Sequence, residues 1–264
     1  MIFLFYFSGK MNYFYETNPV QGLKLGYEVK KKVYSKKTKS HKIDIFQNDA
    51  LGKVFALDGK VKFNENYEFI LHEMMSHLPI FSHPNPERVL IIGANAGGIL
   101  REAIKHEKIT EIYLVDYDKD MIEASKKHLA FLEFPKSLQD KRVKISEEGI
   151  NEFINKFEDY FDIIIFSDTP DEELIKASSR ALTREGIVII REKEFKKELK
   201  RHFKQFQIIR SGPEAFILLS KKLNLSEINF RTLNVRFKQF KQGKKLKYYS
   251  PEIHMSATII PRFY

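Results

Sequence analysis

Residues 84–118 read PNPERVLIIGANAGGILREAIKHEKITEIYLVDYD, and the fold class follows from their pattern. Val89 to Ile92 is a short apolar run, and Gly93-Ala94-Asn95-Ala96-Gly97-Gly98 is a glycine-bearing turn. Ile99 to Lys105 has helical character, and a second apolar run, Ile112 to Val115, ends on Asp116. Strand, tight turn, helix, and strand with an acid at its tip make the nucleoside-binding unit of a doubly wound α/β domain. The turn, beginning at Gly93, lets backbone N–H groups approach a ligand, and Asp116 can accept both ribose hydroxyls. Asn95 stands where G-x-G-x-x-G has its second glycine, so a dinucleotide fits poorly. A βαβ unit with a glycine-rich turn and no ligand would read the same way.

Working outward, the 264 residues allow one large domain, or a large one and a small one. Cysteine is absent, which excludes disulfides, thiolate chemistry and Cys-ligated zinc and is consistent with a reducing cytoplasm. No other metal-ligand spacing occurs. The net charge of +10 comes mostly from lysine and reads as a lysine-rich surface rather than a nucleic-acid footprint. The opening MIFLFYFSGK has no basic n-region and is too short to span a membrane, so residues 1–10 read as a non-native or disordered upstream extension, with Met11 as a second start. No other segment reaches transmembrane length.

Residues 11–65 read as a small antiparallel β domain. Leu23–Tyr34, Lys42–Phe46, Lys53–Leu57 and Lys60–Phe63 are strand-like, with an Asp58-Gly59 turn before the last. Residues 66–264 read as a Rossmann-like nucleoside-binding catalytic domain. Glu68–His77 predicts a helix carrying Glu68, His72 and Glu73, closed by Pro79 and Pro84 ahead of the first parallel strand. Strands at Arg142–Ile145, Phe161–Phe166 and Gly186–Arg191 alternate with helices at Lys119–Leu132, Ile150–Phe157, Glu172–Leu182 and Glu192–Phe206. FDIIIF (Phe161–Phe166) is the most apolar strand and belongs at the sheet centre. Gln207–Arg210 and Ala215–Ser220 form a final antiparallel pair, so the sheet is mostly parallel. The rest is a tail in which Val235–Lys247 is basic with interleaved aromatics, read as a solvated amphipathic segment rather than an RNA contact.

Ligands of open α/β sheets sit beyond the carboxyl ends of the strands. Three successive strands end in acids there: Asp116, Glu148 before Gly149, and the cluster Asp168 to Glu173. Glu148 can accept a hydrogen bond from an adenine amino group. Asp168 reads equally well as the N-cap of the following helix, with Glu172 in its first turn. An acidic cluster beside a nucleoside suggests a cationic co-substrate. Asp171 and Glu172 would hold a diamine, and a base there would take the proton of an attacking amine.

Several stretches are similar to the polyamine aminopropyltransferases, the spermidine synthase family: FALDGKVKF (Phe55–Phe63), YEFILHEMMSHLPIFSHPNPERVLIIG (Tyr67–Gly93), GGILREAIKH (Gly97–His106), VDYD (Val115–Asp118) and KYYSPEIHMSA (Lys247–Ala257). The resemblance implies an N-terminal β domain on a Rossmann-like, methyltransferase-type domain, in homodimers or homotetramers. It also implies aminopropyl transfer from decarboxylated S-adenosylmethionine, a co-substrate rather than a prosthetic group, to a diamine such as putrescine, releasing methylthioadenosine. Residue by residue, Asp116 falls on the ribose-binding acid, Glu148 on the adenine-binding aspartate, and His72 on a histidine that contacts the polyamine.

Departures fall at substrate-contacting positions. The family turn Gly-Gly-Gly-Asp-Gly-Gly has Ala96 in place of its aspartate, and the family's Asp-Ser-x-Asp-Pro reads Ser-Asp-Thr-Pro-Asp here. An ungapped alignment puts Ser167 at the catalytic base; a slip of one residue restores Asp168 as base and Asp171 as the second acid. Lys62 replaces a glutamine, Leu71 a tyrosine, and His41 stands near another donor-site glutamine. Losing the acid at Ala96 removes a charged hydrogen bond worth roughly 1.5–3 kcal/mol, and with it a repulsion against intact S-adenosylmethionine. The leading expectation is a divergent spermidine synthase with Asp168 as base. Its competitors are a methyltransferase on the same scaffold, distinguished by release of S-adenosylhomocysteine, and a catalytically silent nucleoside-binding homologue.

Overall fold

In the computed structural model, the described residues are 12–17, 24–39, 41–93, 97–115, 119–191, 197–212 and 214–259. The chain divides between Tyr67 and Glu68 into two units.

In the N-terminal unit, β1 (Tyr13–Tyr15) pairs antiparallel with β2 (Gly26–Glu28). A four-stranded antiparallel meander follows: β3 (Lys31–Lys37), β4 (Lys42–Asn48), β5 (Gly52–Leu57) and β6 (Lys60–Asn64). Asp58 and Gly59 join β5 to β6 with φ of 51° and 74°, the left-handed pair that a two-residue hairpin demands. Ile43, Ile45, Val54 and Phe55 are fully buried, and Phe55 stacks on Phe63 at 4.9 Å.

The second unit begins with α1 (Glu68–Ser82). The helix runs past the expected end at His77 and straight through Pro79. Proline removes the bond to the Met75 carbonyl, but Leu78, Ile80 and Phe81 are buried, and this packing carries the last turn. A seven-stranded sheet follows, built from β7 (Arg88–Ile92), β8 (Glu111–Val115), β9 (Val143–Ser146), β10 (Phe161–Phe166), β11 (Leu182–Arg191), β12 (Gln205–Ser211) and β13 (Glu214–Ser220). The strand order is β12-β13-β11-β10-β7-β8-β9. Only the pairings of β13 are antiparallel. Every residue of β10 is buried, as its unbroken apolar run requires of a central strand.

The crossovers are α2 (Gly97–Ala103), α3 (Lys119–His128), α4 (Phe134–Ser137), α5 (Ile150–Ile154) and α6 (Glu172–Ala181). A basic helix over Glu192–Phe206 does not form as expected. Residues 192–196 lie outside the described residues, Lys197–Arg201 is a 3-10 turn, and Gln205 and Phe206 already belong to β12. The tail is folded rather than solvated along its aromatic side. In α7 (Phe230–Gln239) Leu233 is buried, and the Phe237 and Phe240 rings pack on Phe81 of α1. The last helix is α8 (Pro251–Ala257), capped by Ser250.

Candidate active site

The strand order places the carboxyl ends of β10, β7, β8 and β9 side by side, with the direction of chain crossover reversing between β10 and β7. That reversal opens a crevice at the sheet edge. Gly93, at the tip of β7, has φ +119°, a conformation closed to most side chains. A Cβ there would lie 1.9 Å from Ser167 Oγ at the tip of β10. The two tips are tied together, since Ser167 N donates to Ile92 O at 2.9 Å, while Gly93 N donates to Val115 O at 3.1 Å. Asp116 and the turn residues Ala94 to Ala96 lie outside the described residues.

Ser167 is buried, and its Oγ has no hydrogen-bond partner among the described residues. Asp168 follows half-buried at the strand tip. It is not the helix cap. That position is Asp171, whose Oδ1 accepts from Leu174 N at 2.8 Å, with Glu172 and Glu173 in the first turn of α6. Pro170 accounts for Asp168 not being the cap, because the residue before a proline is disfavoured in the helical region, which makes Thr169 a poor first helical residue. Asp171 is exposed. Glu148 is exposed at the tip of β9 and ion-paired with Lys156, and Gly149 is the N-cap residue of α5 with open space around its Cα.

Beneath the crevice, α1 and α2 hold a buried polar network. His72 is 1% exposed, and its Nδ1 lies 2.5 Å from Glu68 Oε2, one helical turn away. Arg101 of α2 grips both oxygens of Glu68 at 2.9 and 3.0 Å. Burial opposes the charge on Glu68, but the hydrogen bonds and charges of His72 and Arg101 prevail and hold its pKa below the usual carboxylate value. Gly98 leaves room for the ring: a Cβ there would stand 2.2 Å from His72 Nδ1. A second chain runs from His106 through His77 to Glu102, with His106 Nε2 at 2.8 Å from His77 Nδ1 and His77 Nε2 at 3.1 Å from Glu102 Oε2. Glu102 is strongly acidified despite its burial, chiefly by His77 and Lys105.

His72 and its neighbour Glu73 point different ways, as adjacent helical residues must. The Glu73 carboxylate accepts backbone N–H groups of Lys247, Tyr248 and Tyr249 at 2.8, 2.9 and 2.8 Å and so anchors the C-terminal segment. The roles of Glu73, Arg101 and Glu102 were not read from the sequence. The Glu68/His72 pair was legible, since residues four apart share a helix face. In the N-terminal unit His41 pairs with Asp58 at 2.7 Å. Among the described residues, no group of three His, Asp or Glu side chains is placed to hold a metal, and no helix is long and apolar enough to cross a membrane.

The sheet order and the tip-lined crevice define a Rossmann-like domain of the methyltransferase type. Comparison with known proteins narrows the class. Residues 68–211 match the spermine/spermidine synthase domain, and residues 12–65 match the spermidine synthase tetramerisation domain. A polyamine aminopropyltransferase from Hydrogenobaculum sp. is 33% identical over 96% of this chain and 95% of its own. One from Thermotoga maritima is 34% identical over 88% and 85%. The crystal structure of spermidine synthase from Thermotoga maritima superposes with a TM-score of 0.84 at 29% identity, covering 95% of this chain and 92% of its own. A spermidine synthase in complex with the transition state analogue AdoDATO gives 0.85 at 29% identity, covering 97% and 94%. The chain belongs to the spermine/spermidine synthase family and is a transferase of the polyamine aminopropyltransferase class.

Proposed function

We propose that the chain transfers the aminopropyl group of decarboxylated S-adenosylmethionine to putrescine, giving spermidine and methylthioadenosine. The observation that carries this reading is the alignment of the β10, β7 and β9 tips along one crevice, in a chain that superposes on a relative bound to a transition state analogue. Gly93 lets the backbone approach the nucleoside. Asp116 is assigned to the ribose and Glu148, with Gly149, to the adenine, Glu148 exchanging its ion pair with Lys156 for the adenine amino group.

In the reaction, an amine nitrogen of the diamine attacks the aminopropyl carbon next to the sulfonium. The new C–N bond forms as the C–S bond breaks, its electron pair neutralises sulfur, and the attacking nitrogen gives up a proton. Asp168 takes that proton. It is half-buried at the crevice, whereas the Ser167 hydroxyl packs against Gly93. Asp171 uses one oxygen to cap α6, and the other is left to hold the distant ammonium of the diamine. His72, fixed from below by Glu68 and Arg101, is assigned to the polyamine as well. Holding amine and carbon in line supplies much of the rate. Residues 12–65 would assemble the chain into homotetramers, and the absence of cysteine suits a cytoplasmic enzyme.

The test is an assay with decarboxylated S-adenosylmethionine and putrescine, with cadaverine and spermidine in parallel, scored by mass spectrometry. Spermidine plus methylthioadenosine is the expected outcome. Asp168→Asn should abolish turnover with methylthioadenosine binding nearly intact, and Ser167→Ala should retain turnover. Unchanged turnover in Asp168→Asn would move the base to Asp171 or Ser167. Formation of S-adenosylhomocysteine from S-adenosylmethionine would replace the reading with methyl transfer.

A further inference from the structure

The buried polar groups of α1 and α2 form one connected chain, and Arg101 is the link. Its Nη1 and Nη2 donate to the two oxygens of Glu68 at 3.0 and 2.9 Å, and its Nε donates to Oε1 of Glu102 at 2.9 Å. Nη1 also donates to Phe131 O at 2.9 Å, so the guanidinium is set from three sides. Glu102 is held in turn on its Oε2, by His77 Nε2 at 3.1 Å and by Lys105 Nζ at 2.5 Å. A continuous path therefore runs from His77 through Glu102, Arg101 and Glu68 to Nδ1 of His72. Arg101 is 13% exposed, and the other four side chains are buried.

The path has a consequence for the His72 ring. Burial opposes the charge on Glu68 and on Glu102, but their hydrogen-bonded partners keep both ionised. An ionised carboxylate can only accept. Glu68 Oε2 therefore accepts from His72 Nδ1–H, and in the neutral ring the lone pair is left on Nε2. The same oxygen accepts from Arg101 Nη2, so a guanidinium that turns takes the carboxylate with it. Fork-on-fork pairing is directional, and the Nε bond to Glu102 fixes the direction from which the fork meets Glu68.

We propose that Glu102 is a positioning residue for the diamine. Through Arg101 and Glu68 it fixes the His72 ring with its proton on Nδ1 and its lone pair on Nε2, the form that accepts from an ammonium. Glu102 acts through these side chains and not on the reacting atoms. The inference rests on the assignment of His72 to the polyamine in the function proposed above.

The experiment uses the full chain and compares it with Glu102→Gln and Glu102→Asp. Glutamine keeps the shape and loses the charge, while aspartate keeps the charge on a shorter stem. Steady-state rates with putrescine and decarboxylated S-adenosylmethionine give the two KM values. Long-range proton–nitrogen correlation spectra of the imidazoles, with His72→Gln to identify the signal, report which nitrogen of His72 carries the proton. In Glu102→Gln the KM for putrescine should rise about three- to tenfold, the range expected of one link in such a network. Glu102→Asp should show a smaller rise, and the KM for the donor should not change in either. The His72 signal should pass from the Nδ1–H tautomer to a mixture of the two. A merely structural role would shift both KM values together and leave the tautomer alone. An unchanged KM for putrescine, an equal rise in both KM values, or a preserved Nδ1–H tautomer in Glu102→Gln would each overturn the proposal. Should Glu102→Gln not fold, the same criteria apply to Glu102→Asp. Absence of aminopropyl transfer by the unaltered chain would overturn the proposed function instead, and the imidazole spectra would then decide the role of Glu102 by themselves.

Discussion

Replacing Gly93 by alanine tests how the two strand tips form the crevice. Two effects add. The φ of +119° is sparsely open to L-residues, and holding alanine there costs about 1–3 kcal/mol. The new Cβ would also meet Ser167 Oγ at 1.9 Å and Ser167 Cβ at 3.1 Å, and relieving such overpacking costs typically 1–3 kcal/mol more. The expected loss is therefore about 2–6 kcal/mol, read from urea denaturation followed by circular dichroism. The steric part depends on Ser167 and the torsional part does not. Ser167→Gly in the Gly93→Ala background should therefore recover about 1–2 kcal/mol, and a double-mutant cycle should show coupling of that size. An additive cycle, or a loss below about 0.5 kcal/mol in Gly93→Ala alone, would refute the claim that these tips are in forced contact.

Glu73→Gln puts an amide donor among three backbone donors, so the unfolding free energy should fall by about 2–4 kcal/mol. Hydrogen exchange should quicken at Lys247 to Tyr249 before the central sheet, and unchanged exchange there would count against the anchor. His254 is buried, which lowers its pKa to about 4, and its Nδ1 lies 2.7 Å from the Tyr249 hydroxyl. Its folded pKa lies below the unfolded value near 6.5, so its contribution is complete above pH 6.5 and is lost as pH falls towards 4, by about 3 kcal/mol at most. His106 and His83 act in the same sense, and His254→Asn should remove up to one proton from the slope of stability against pH over that window. Asp171→Asn keeps a good cap and loses the charge, so stability should hold while KM for the diamine rises. Asp171→Ala should also lose about 1 kcal/mol of stability. An unaltered KM in both would remove Asp171 from the diamine site.

The central strand was legible because FDIIIF has no polar face to present to solvent, and the Asp58-Gly59 hairpin because its turn demands residues that tolerate positive φ. The end of α1 was not. Pro79 is a local stop signal, and only the burial of Ile80 and Phe81 overrides it. The tail misled for the same reason: Val235–Lys247 has an amphipathic stripe, but no local pattern says that Phe81, some 155 residues earlier, will meet Phe240 and hold Arg236. At the β10 tip the sequence itself carries the deciding signal. Asp168 and Asp171 both look like caps, and Pro170 decides between them through its effect on Thr169.

That decision separates two kinds of residue at the site. Gly93 and Gly98 cannot accept a Cβ, because Ser167 and His72 occupy the space. Their presence is thus explained by packing, and at Gly93 also by its φ of +119°, and would be required in a chain that bound no nucleoside. The same holds for Glu68 and Arg101, which neutralise each other under His72. The glycine-bearing turn is accordingly weak testimony for a ligand. Asp168 is different. It does not cap α6, a duty met by Asp171. It is a half-buried acid at the tip of β10. The proposed proton transfer is therefore tested at Asp168 rather than at the glycines, whose substitution would read out packing.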